Sequence, residues 1–446
     1  MRVIIIGAGK VGYNIAQILS YENHDVVVIE KDEERYKIIQ DSLDIQVIQG
    51  SGASSAILEE ADIFNADLLI AVTEVDELNM ISCVLAKQYG VPKTVARVRN
   101  TEYADNNRLT QTPILGIDLL INPEKVTASE ISQLIEVPEA IDVEYYADGK
   151  IQLLELAIGD DAPVIDKYLK DLDLPYRYVI VSILRDEKMI IPRGNDLIKK
   201  NDIIFILAKT KDMIHIEKLI GKERTKINNV IILGGGRIGY YLAKLLEEKK
   251  VGVKIIEKNY QRCKELARNL NSSLVLHGDG SDIDLLKEEG AGQADAFVAL
   301  TDDDKLNLLV SLLAKHLGVK KTIAQIRRSD YLPLIERVGI DIAVSPRLIT
   351  AAAILKFIRR GNIISVSLLS GAKAEMIELI VPQNAKIVNK YLKDLAFPEG
   401  AIIGSICRGD DALIPTGNDY LAPDDRIIVF ALPKAVHKVE AFFSTT

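Results

Sequence analysis

Residues 6–12 read Ile6-Gly7-Ala8-Gly9-Lys10-Val11-Gly12, and residues 233–239 read Leu233-Gly234-Gly235-Gly236-Arg237-Ile238-Gly239. Each stretch carries a G-x-G-x-x-G spacing, follows a short apolar run and opens a segment with helical periodicity. In this pattern the first glycine permits a tight turn, the second lets a phosphate approach the backbone, and the third lets a helix pack on a strand. Backbone N–H groups at the start of that helix then face the anion. One match to so short a pattern is weak evidence. Here an acid follows 18 positions after the last glycine in both copies, Glu30 and Glu257. A carboxylate at the end of the second strand accepts both ribose hydroxyls and repels a 2′-phosphate, which favours NAD or plain adenine nucleotides over NADP. Lys31 and Lys258 soften that exclusion.

The chain therefore contains itself twice. Gly7 and Gly234 lie 227 positions apart, as do Glu30 and Glu257. Further on, Lys167-Tyr168-Leu169-Lys170-Asp171-Leu172 returns unchanged as Lys390-Tyr391-Leu392-Lys393-Asp394-Leu395, 223 positions later. The offset first rises to 228, as between Gly50 and Gly278, and then falls to 223 because the first half has five more residues between Arg99 and Asp118 than the second has between Arg327 and Asp341. That surplus, around 101–113, reads as a surface loop.

Outward from the glycine loops, short Val- and Ile-rich runs predict strands near 3–6, 26–30, 45–48, 68–72, 95–98 and 117–121. The series repeats near 230–233, 253–257, 274–276, 297–300, 322–326 and 340–344. Helical patterns such as 11–20 and 79–88 lie between them. The alternation predicts an α/β chain with two doubly wound, parallel, Rossmann-like sheets. Asn122-Pro123 and Ser345-Pro346 then start helices near 124–135 and 347–358, which are apolar on much of their surface. These are candidates for subunit crossover and pairing. A small α+β unit follows each, with strands in the first near 153–157, 178–184 and 203–208 and Gly-Asn-Asp turns at 194–196 and 417–419. The expected domains are 1–122 and 228–345 (Rossmann-like), and 123–220 and 346–446 (crossover helix plus small domain), with a polar connector at 221–229.

Composition narrows the function. A chain of 446 residues is too long for one compact core. It is 48% hydrophobic and 27% charged, a soluble profile. A net charge of −9 speaks against nucleic acid as a partner, since phosphate backbones demand clustered Lys and Arg. No apolar run approaches the roughly 18–20 residues that span a bilayer, and the N-terminus enters a strand without a signal-peptide layout. Cys83, Cys263 and Cys407 have no metal-like spacing and read as reduced cytoplasmic thiols. A link to a membrane would run through a partner. The five histidines are scattered, and only His277 falls near a predicted ligand edge. No acid–base pair recurs, whereas a dehydrogenase devotes its second domain to a substrate and a proton-transfer residue. No catalytic residue and no metal site is expected. A chain with two nucleotide signatures and no catalytic pair reads as a sensor in a symmetric assembly.

The two halves differ where ligands would touch. Ser51 stands opposite Asp279 and Arg97 opposite Gln325, while Arg99 and Arg327 agree. A carboxylate accepts from an adenine amino group more strongly than a serine, so two unequal sites are expected. Lys10 and Arg237 put cations inside the glycine loops, placed to meet a terminal phosphate on the same subunit or across a dimer. Thr73-Glu74-Val75-Asp76 and Thr301-Asp302-Asp303-Asp304 close the fourth strands at the edge where such sheets bind ligands, and Asn79 and Asn307 are assigned as helix caps.

Together these residues resemble the TrkA-type regulatory subunits of bacterial and archaeal potassium uptake systems, built from RCK (or KTN) domains. The likeness rests on Gly-Ala-Gly-Lys-Val-Gly, on Ala71-Val72-Thr73 with Asp76 and Asn79, on Ala96-Arg97-Val98-Arg99, and on the duplicated order of four domains. It implies a cytoplasmic protein, peripheral at the inner face of the cell membrane, that binds NAD(H) and ATP or ADP and gates a potassium-translocating subunit of the TrkH/TrkG kind. RCK units form rings of eight, so two units per chain imply a homotetramer. The resemblance assigns nucleotide contact to Gly7, Gly9, Lys10, Val11, Gly12, Glu30, Thr73, Glu74 and Arg97. In the second half it assigns Gly234, Gly236, Arg237, Ile238, Gly239, Glu257, Asp279 and Thr301. The alternatives are an NAD-dependent oxidoreductase and a soluble RCK adaptor for another cation channel or exchanger.

Overall fold

The computed structural model describes all residues except 22–23, 101–102, 104–115, 137–140, 173–174, 222–226, 329–330, 332–337, 359–362, 370–373, 386 and 444–446. The surface loop expected at 101–113 lies almost wholly outside the described residues.

The first half opens with β1 (Arg2–Ile6), α1 (Lys10–Tyr21), β2 (Asp25–Glu30), α2 (Glu33–Ser42), β3 (Gln46–Gln49) and α3 (Ser55–Glu60). It continues with β4 (Leu68–Ala71), α4 (Asp76–Gln88), β5 (Lys93–Arg97) and β6 (Leu119–Ile121). These strands form one parallel sheet in the order β3-β2-β1-β4-β5-β6. The order reverses between β1 and β4, and in open α/β sheets ligands bind at the carboxyl edge of that reversal. Val3–Ile6 and Leu68–Ala71 are buried on both faces, which is why these strands are continuous apolar runs.

Helix α5 (Pro123–Glu136) leads to the small domain: β7 (Asp142–Tyr146), β8 (Ile151–Ala157), β9 (Tyr178–Arg185), β10 (Lys188–Ile190), β11 (Ile203–Lys209) and α6 (Thr210–Leu219). The second half repeats the plan with β12 (Asn229–Leu233), α7 (Arg237–Glu248), β13 (Gly252–Glu257), α8 (Tyr260–Asn269), β14 (Leu274–His277) and α9 (Ile283–Glu288). Then come β15 (Ala296–Ala299), α10 (Asp304–His316), β16 (Lys321–Gln325), β17 (Ile342–Val344) and α11 (Pro346–Ile358). The last small domain holds β18 (Ile363–Leu369), β19 (Ala374–Ile380), β20 (Ala401–Arg408), β21 (Asp411–Leu413), β22 (Arg426–Ala431) and α12 (Pro433–Phe443). The second parallel sheet runs β14-β13-β12-β15-β16-β17, the order of the first. Both small domains are antiparallel sheets of five strands, β10-β9-β11-β8-β7 and β21-β20-β22-β19-β18. Strands β7 and β10 are not among the runs legible in the sequence, because neither shows an uninterrupted apolar pattern.

The chain divides into two compact units: residues 1–132 with 228–358, and residues 133–227 with 359–446. In the first unit the crossover helices join the two Rossmann-like halves. Ala351, Ile354 and Leu355 of α11 are buried in the core of the first half, among Val3, Ile5 and Leu19. The helix is apolar over much of its surface, and packing against α1 covers one side of it. In return, Lys249 Nζ just past the end of α7 donates to Ser132 Oγ of α5 at 2.9 Å. The crossover expected between subunits thus pairs the two halves of one chain.

In the second unit the small domains share a core in which Phe205 and Leu207 meet Met376 and Phe430. Gly404 permits that approach, since a Cβ there would sit 2.6 Å from Leu207. Buried Glu378 accepts from Ala147 N at 2.9 Å and from Arg426 Nε at 2.6 Å, pinning one sheet to the other. The unchanged Lys-Tyr-Leu-Lys-Asp-Leu hexapeptide forms a 3₁₀ turn in each copy, with its second lysine on the Asn of the Gly-Asn-Asp turn (Lys170–Asn195 3.0 Å, Lys393–Asn418 3.1 Å). Its repetition has a local packing reason.

Candidate nucleotide-binding sites

The glycine loops run from β1 into α1 and from β12 into α7. Gly7 and Gly234 both adopt φ +100°, a conformation that an L side chain strains to reach. At Gly12 an added Cβ would lie 1.9 Å from the Gly7 carbonyl oxygen, and at Gly239 2.2 Å from that of Gly234. The third glycines are therefore fixed by helix-to-strand packing alone. Gly12→Ala is expected to cost about 1–3 kcal/mol by overpacking, read as a lower thermal midpoint with or without nucleotide. The middle glycines differ. A Cβ on Gly9 would meet only the Arg35 guanidinium, 3.8 Å away, and one on Gly236 nothing within 4 Å. Among the described residues no protein atom requires glycine there; the space in front of the loop is open for a phosphate.

Glu30 and Glu257 end β2 and β13. Glu30 is buried and accepts from Ala8 N at 2.5 Å and Asp32 N at 2.8 Å. Glu257 accepts from Gly235 N at 2.7 Å and Asn259 N at 2.7 Å. Each acid thereby braces its own glycine loop from the far side. Arg35 and Arg262, again 227 positions apart, belong to no motif of the sequence yet stand beside the loops. Arg262 Nε donates to Gly235 O at 2.7 Å, and Arg35 lies 3.6 Å from Glu74. Their identity at matching positions is the signal that marks them.

At the end of the fourth strand the assignment of Asn79 and Asn307 as caps is corrected. Helix α4 begins at Asp76 and α10 at Asp304, so both asparagines lie one turn inside, fully buried. Asn79 Oδ1 accepts from Thr73 N (2.9 Å) and Thr73 Oγ1 (2.7 Å), and its Nδ2 donates to Thr73 O (3.0 Å) and Arg97 O (2.9 Å). Asn307 repeats the set with Thr301 and Gln325. The residue staples two strand ends that form the floor of each site. Caps were the wrong expectation because the helix starts three residues earlier, where the acidic side chains of Asp76 and Asp304 accept from backbone amides at the end of the fifth strand.

Arg97 and Gln325 make the same contact, each donating to the threonine carbonyl at 3.2 Å. The halves differ in charge, and burial followed by the neighbouring Arg99 lowers the Arg97 pKa. Arg97 Nε and Gln325 Oε1 are buried with no hydrogen-bond partner among the described residues. At the third strand Asp279 binds Lys258 Nζ (2.8 Å), Ser281 N (3.0 Å) and Ser281 Oγ (2.7 Å), and the lysine holds its carboxyl well below the usual carboxylate range. Ser51 Oγ accepts a long 3.4 Å bond from Ala53 N. Val11 packs into the first core and Ile238 is half-buried, so they supply backbone to the loops rather than polar side chains. Lys10 is exposed, whereas Arg237 crosses to the first half, 4.0 Å from buried Glu124.

The fold and site define a class: a chain of two Rossmann-like nucleotide folds, paired through exchanged helices, each trailed by a small antiparallel domain. The TrkA-N domain family matches residues 3–123 and 230–346, and the TrkA-C domain family residues 153–221 and 376–444. Similar proteins include Trk system potassium uptake protein TrkA homolog 1 of Methanosarcina mazei, 42% identical over 99% of this chain and 100% of that protein. The Trk system potassium uptake protein TrkA of Vibrio alginolyticus is 34% identical over 99% of this chain and 98% of its own. The chain belongs to the TrkA family. Among solved structures, the GsuK channel bound to NAD has the same fold, with TM-score 0.63, 17% identity, and 99% of this chain and 78% of the other covered. Among the described residues no helix is long and apolar enough to cross a membrane, and no group of three or more His, Cys, Asp or Glu is placed to hold a metal ion.

Proposed function

We propose that this chain is a nucleotide-sensing regulatory subunit that binds NAD(H) and ATP or ADP at the carboxyl edges of its two parallel sheets and gates a membrane potassium-translocating subunit of the TrkH/TrkG kind. The observation that carries the reading is the open cradle at Gly9 and Gly236, bounded by Glu30 and Glu257, built twice in one paired unit. The residues named above as nucleotide contacts are its proposed site residues. Relatives that bear the TrkA name in potassium uptake support the partner; an NAD-bound neighbour of the same fold supports the ligand. The chain acts without chemistry of its own, as a homotetramer of eight RCK units at the cytoplasmic face of the membrane. Differential affinity of nucleotide for two arrangements of those units sets how far the gate moves.

Calorimetric titration of ATP, ADP, NAD and NADH against the purified chain tests this, with two sites per chain as the expected stoichiometry. Glu30→Ala is expected to weaken the first site at least about tenfold, since it removes a charge-assisted bond to ribose. Glu30→Gln, which keeps one acceptor, falls between. Unchanged affinity in Glu30→Ala with Glu257→Ala in the same chain rejects the role. A substrate-dependent change in nicotinamide absorbance would instead support the oxidoreductase reading.

A further inference from the structure

Besides Ser51 against Asp279 and Arg97 against Gln325, the two halves differ in charge at a cluster beside the glycine loops. Glu77, Asn100 and Glu124 of the first half correspond to Lys305, Arg328 and Arg347 of the second. Around them the frame is kept: Asp76 and Asp304 both accept from backbone amides after the fifth strand, and Tyr103 matches Tyr331.

In the first half Glu124 fills the centre. It is 6% exposed, accepts from Arg99 Nε at 2.6 Å, and lies 4.0 Å from Arg237, which arrives from the second glycine loop. The cations of that site already face a resident carboxylate. In the second half a guanidinium stands in its place. Arg347 donates to the Arg327 main-chain carbonyl at 2.7 Å, and among the described residues no carboxylate lies within ion-pair distance of it. Burial, then the neighbouring Arg327, pushes its pKa down. Arg347, Arg327, Arg328 and Lys305 line a pocket of about 450 Å³ together with Tyr331 and three aspartates. Two of those aspartates are held by backbone: Asp303 caps α10 through Lys305 N and Leu306 N, and Asp304 accepts from Arg327 N and Arg328 N, with Arg327 Nε a further 3.8 Å from its carboxylate. The third, Asp302, has a fully exposed side chain 3.3 Å from Arg327, an ion pair that a stronger anion displaces.

We propose that the second-half pocket is a polyanion subsite that accepts the terminal phosphate of a nucleoside triphosphate, and that Glu124 occupies the equivalent place in the first half and excludes it. The two sites then read different ligands: the second separates ATP from ADP, and the first does not. This rests on the nucleotide reading above.

The test uses the full chain with one site weakened at a time. In Glu30→Ala, which reports the second site, ATP is expected to bind at least about tenfold more tightly than ADP, because the third phosphate gains charge-assisted bonds to arginine. In Glu257→Ala, which reports the first, the ratio stays near one. Adding Arg347→Glu to Glu30→Ala is expected to erase the preference, and Arg328→Asn, at a position where the first half has asparagine, to reduce it with less risk to folding. A preference that survives both changes, or that sits in the first site, overturns the proposal. Inorganic tripolyphosphate separates the two ways of failing. If it binds with one site per chain, is lost in Arg347→Glu, and no nucleotide binds at all, the polyanion subsite stands and the nucleotide reading falls. If nucleotides bind but tripolyphosphate does not and ATP equals ADP, the subsite falls and the nucleotide reading stands.

Discussion

Replacing Asn79 with alanine is expected to lower the stability of the unit that carries both glycine loops by about 2–5 kcal/mol, although Asn79 touches neither loop. The side chain is 0% exposed and makes four hydrogen bonds, two accepted and two donated. Alanine leaves the part-buried Thr73 N and Arg97 carbonyl without those partners, and each orphaned group costs about 1–3 kcal/mol to the extent that it stays out of water. The Thr73 carbonyl is spared in part, because Arg97 Nη1 still donates to it at 3.2 Å. Asn307→Ala is expected to behave the same way, with Gln325 sparing Thr301. Thermal melts of the full chain check this: a drop of roughly 5 °C or more agrees, and a midpoint within about 1 °C of the parent would show that the staple contributes nothing. Asn79→Asp keeps the acceptor but turns the other oxygen towards two carbonyls, so it is expected to be no better than alanine.

Gly9→Val is expected to have the opposite profile: stability nearly unchanged and nucleotide affinity at the first site lost by about 100-fold or more. Its backbone lies outside the left-handed region, and a side chain there has only the end of Arg35 to push aside. The valine methyls occupy the space in front of the α1 amides, so phosphate loses charge-assisted bonds worth about 1.5–3 kcal/mol each, and two such losses exceed a hundredfold. Gly236→Val is the counterpart, and both changes carry a small cost for replacing the residue whose carbonyl takes the first bond of its helix. Melts without ligand and calorimetry with ATP or NAD make the comparison. Retained affinity in both variants would mean that the open cradles hold no phosphate. Set beside Gly12→Ala, the pair tests for two different reasons for glycine in one motif: at the third position an added Cβ would lie 1.9 Å from a carbonyl oxygen, and at the second only the end of Arg35 lies near.

Most of the architecture was legible in the chain. Buried parallel strands announce themselves as Val- and Ile-rich runs such as Arg2–Ile6 and Asp25–Glu30, and the helix period between them is equally plain. Repetition of the whole series in one chain did what an alignment does for others, marking Glu30 with Glu257 and exposing Ser51 against Asp279. Edges were less legible: β6 is three residues long, shorter than the 117–121 run, because pairing with β5 begins only where Val95 meets Leu119. Asn79 resembles a cap because a polar residue three positions into a helix looks like its start, and only the strand ends packed beside it reveal four partners.

The elements, their order, the two glycine loops and the acids that close them follow from local pattern, since each depends on neighbours within a few tens of residues. The tertiary structure alone decided how the halves meet. An apolar helix such as α11 carries no address; any apolar surface covers it, and only the packed chain shows Ala351, Ile354 and Leu355 completing the core of the other half. The same pairing carries Arg237 to Glu124 across a separation of more than a hundred residues and, among the described residues, leaves Arg347 without a carboxylate. Charge at a site is set by what long-range packing brings within a few ångströms, and so a carboxylate, Glu124, stands in one half where a guanidinium, Arg347, stands in the other.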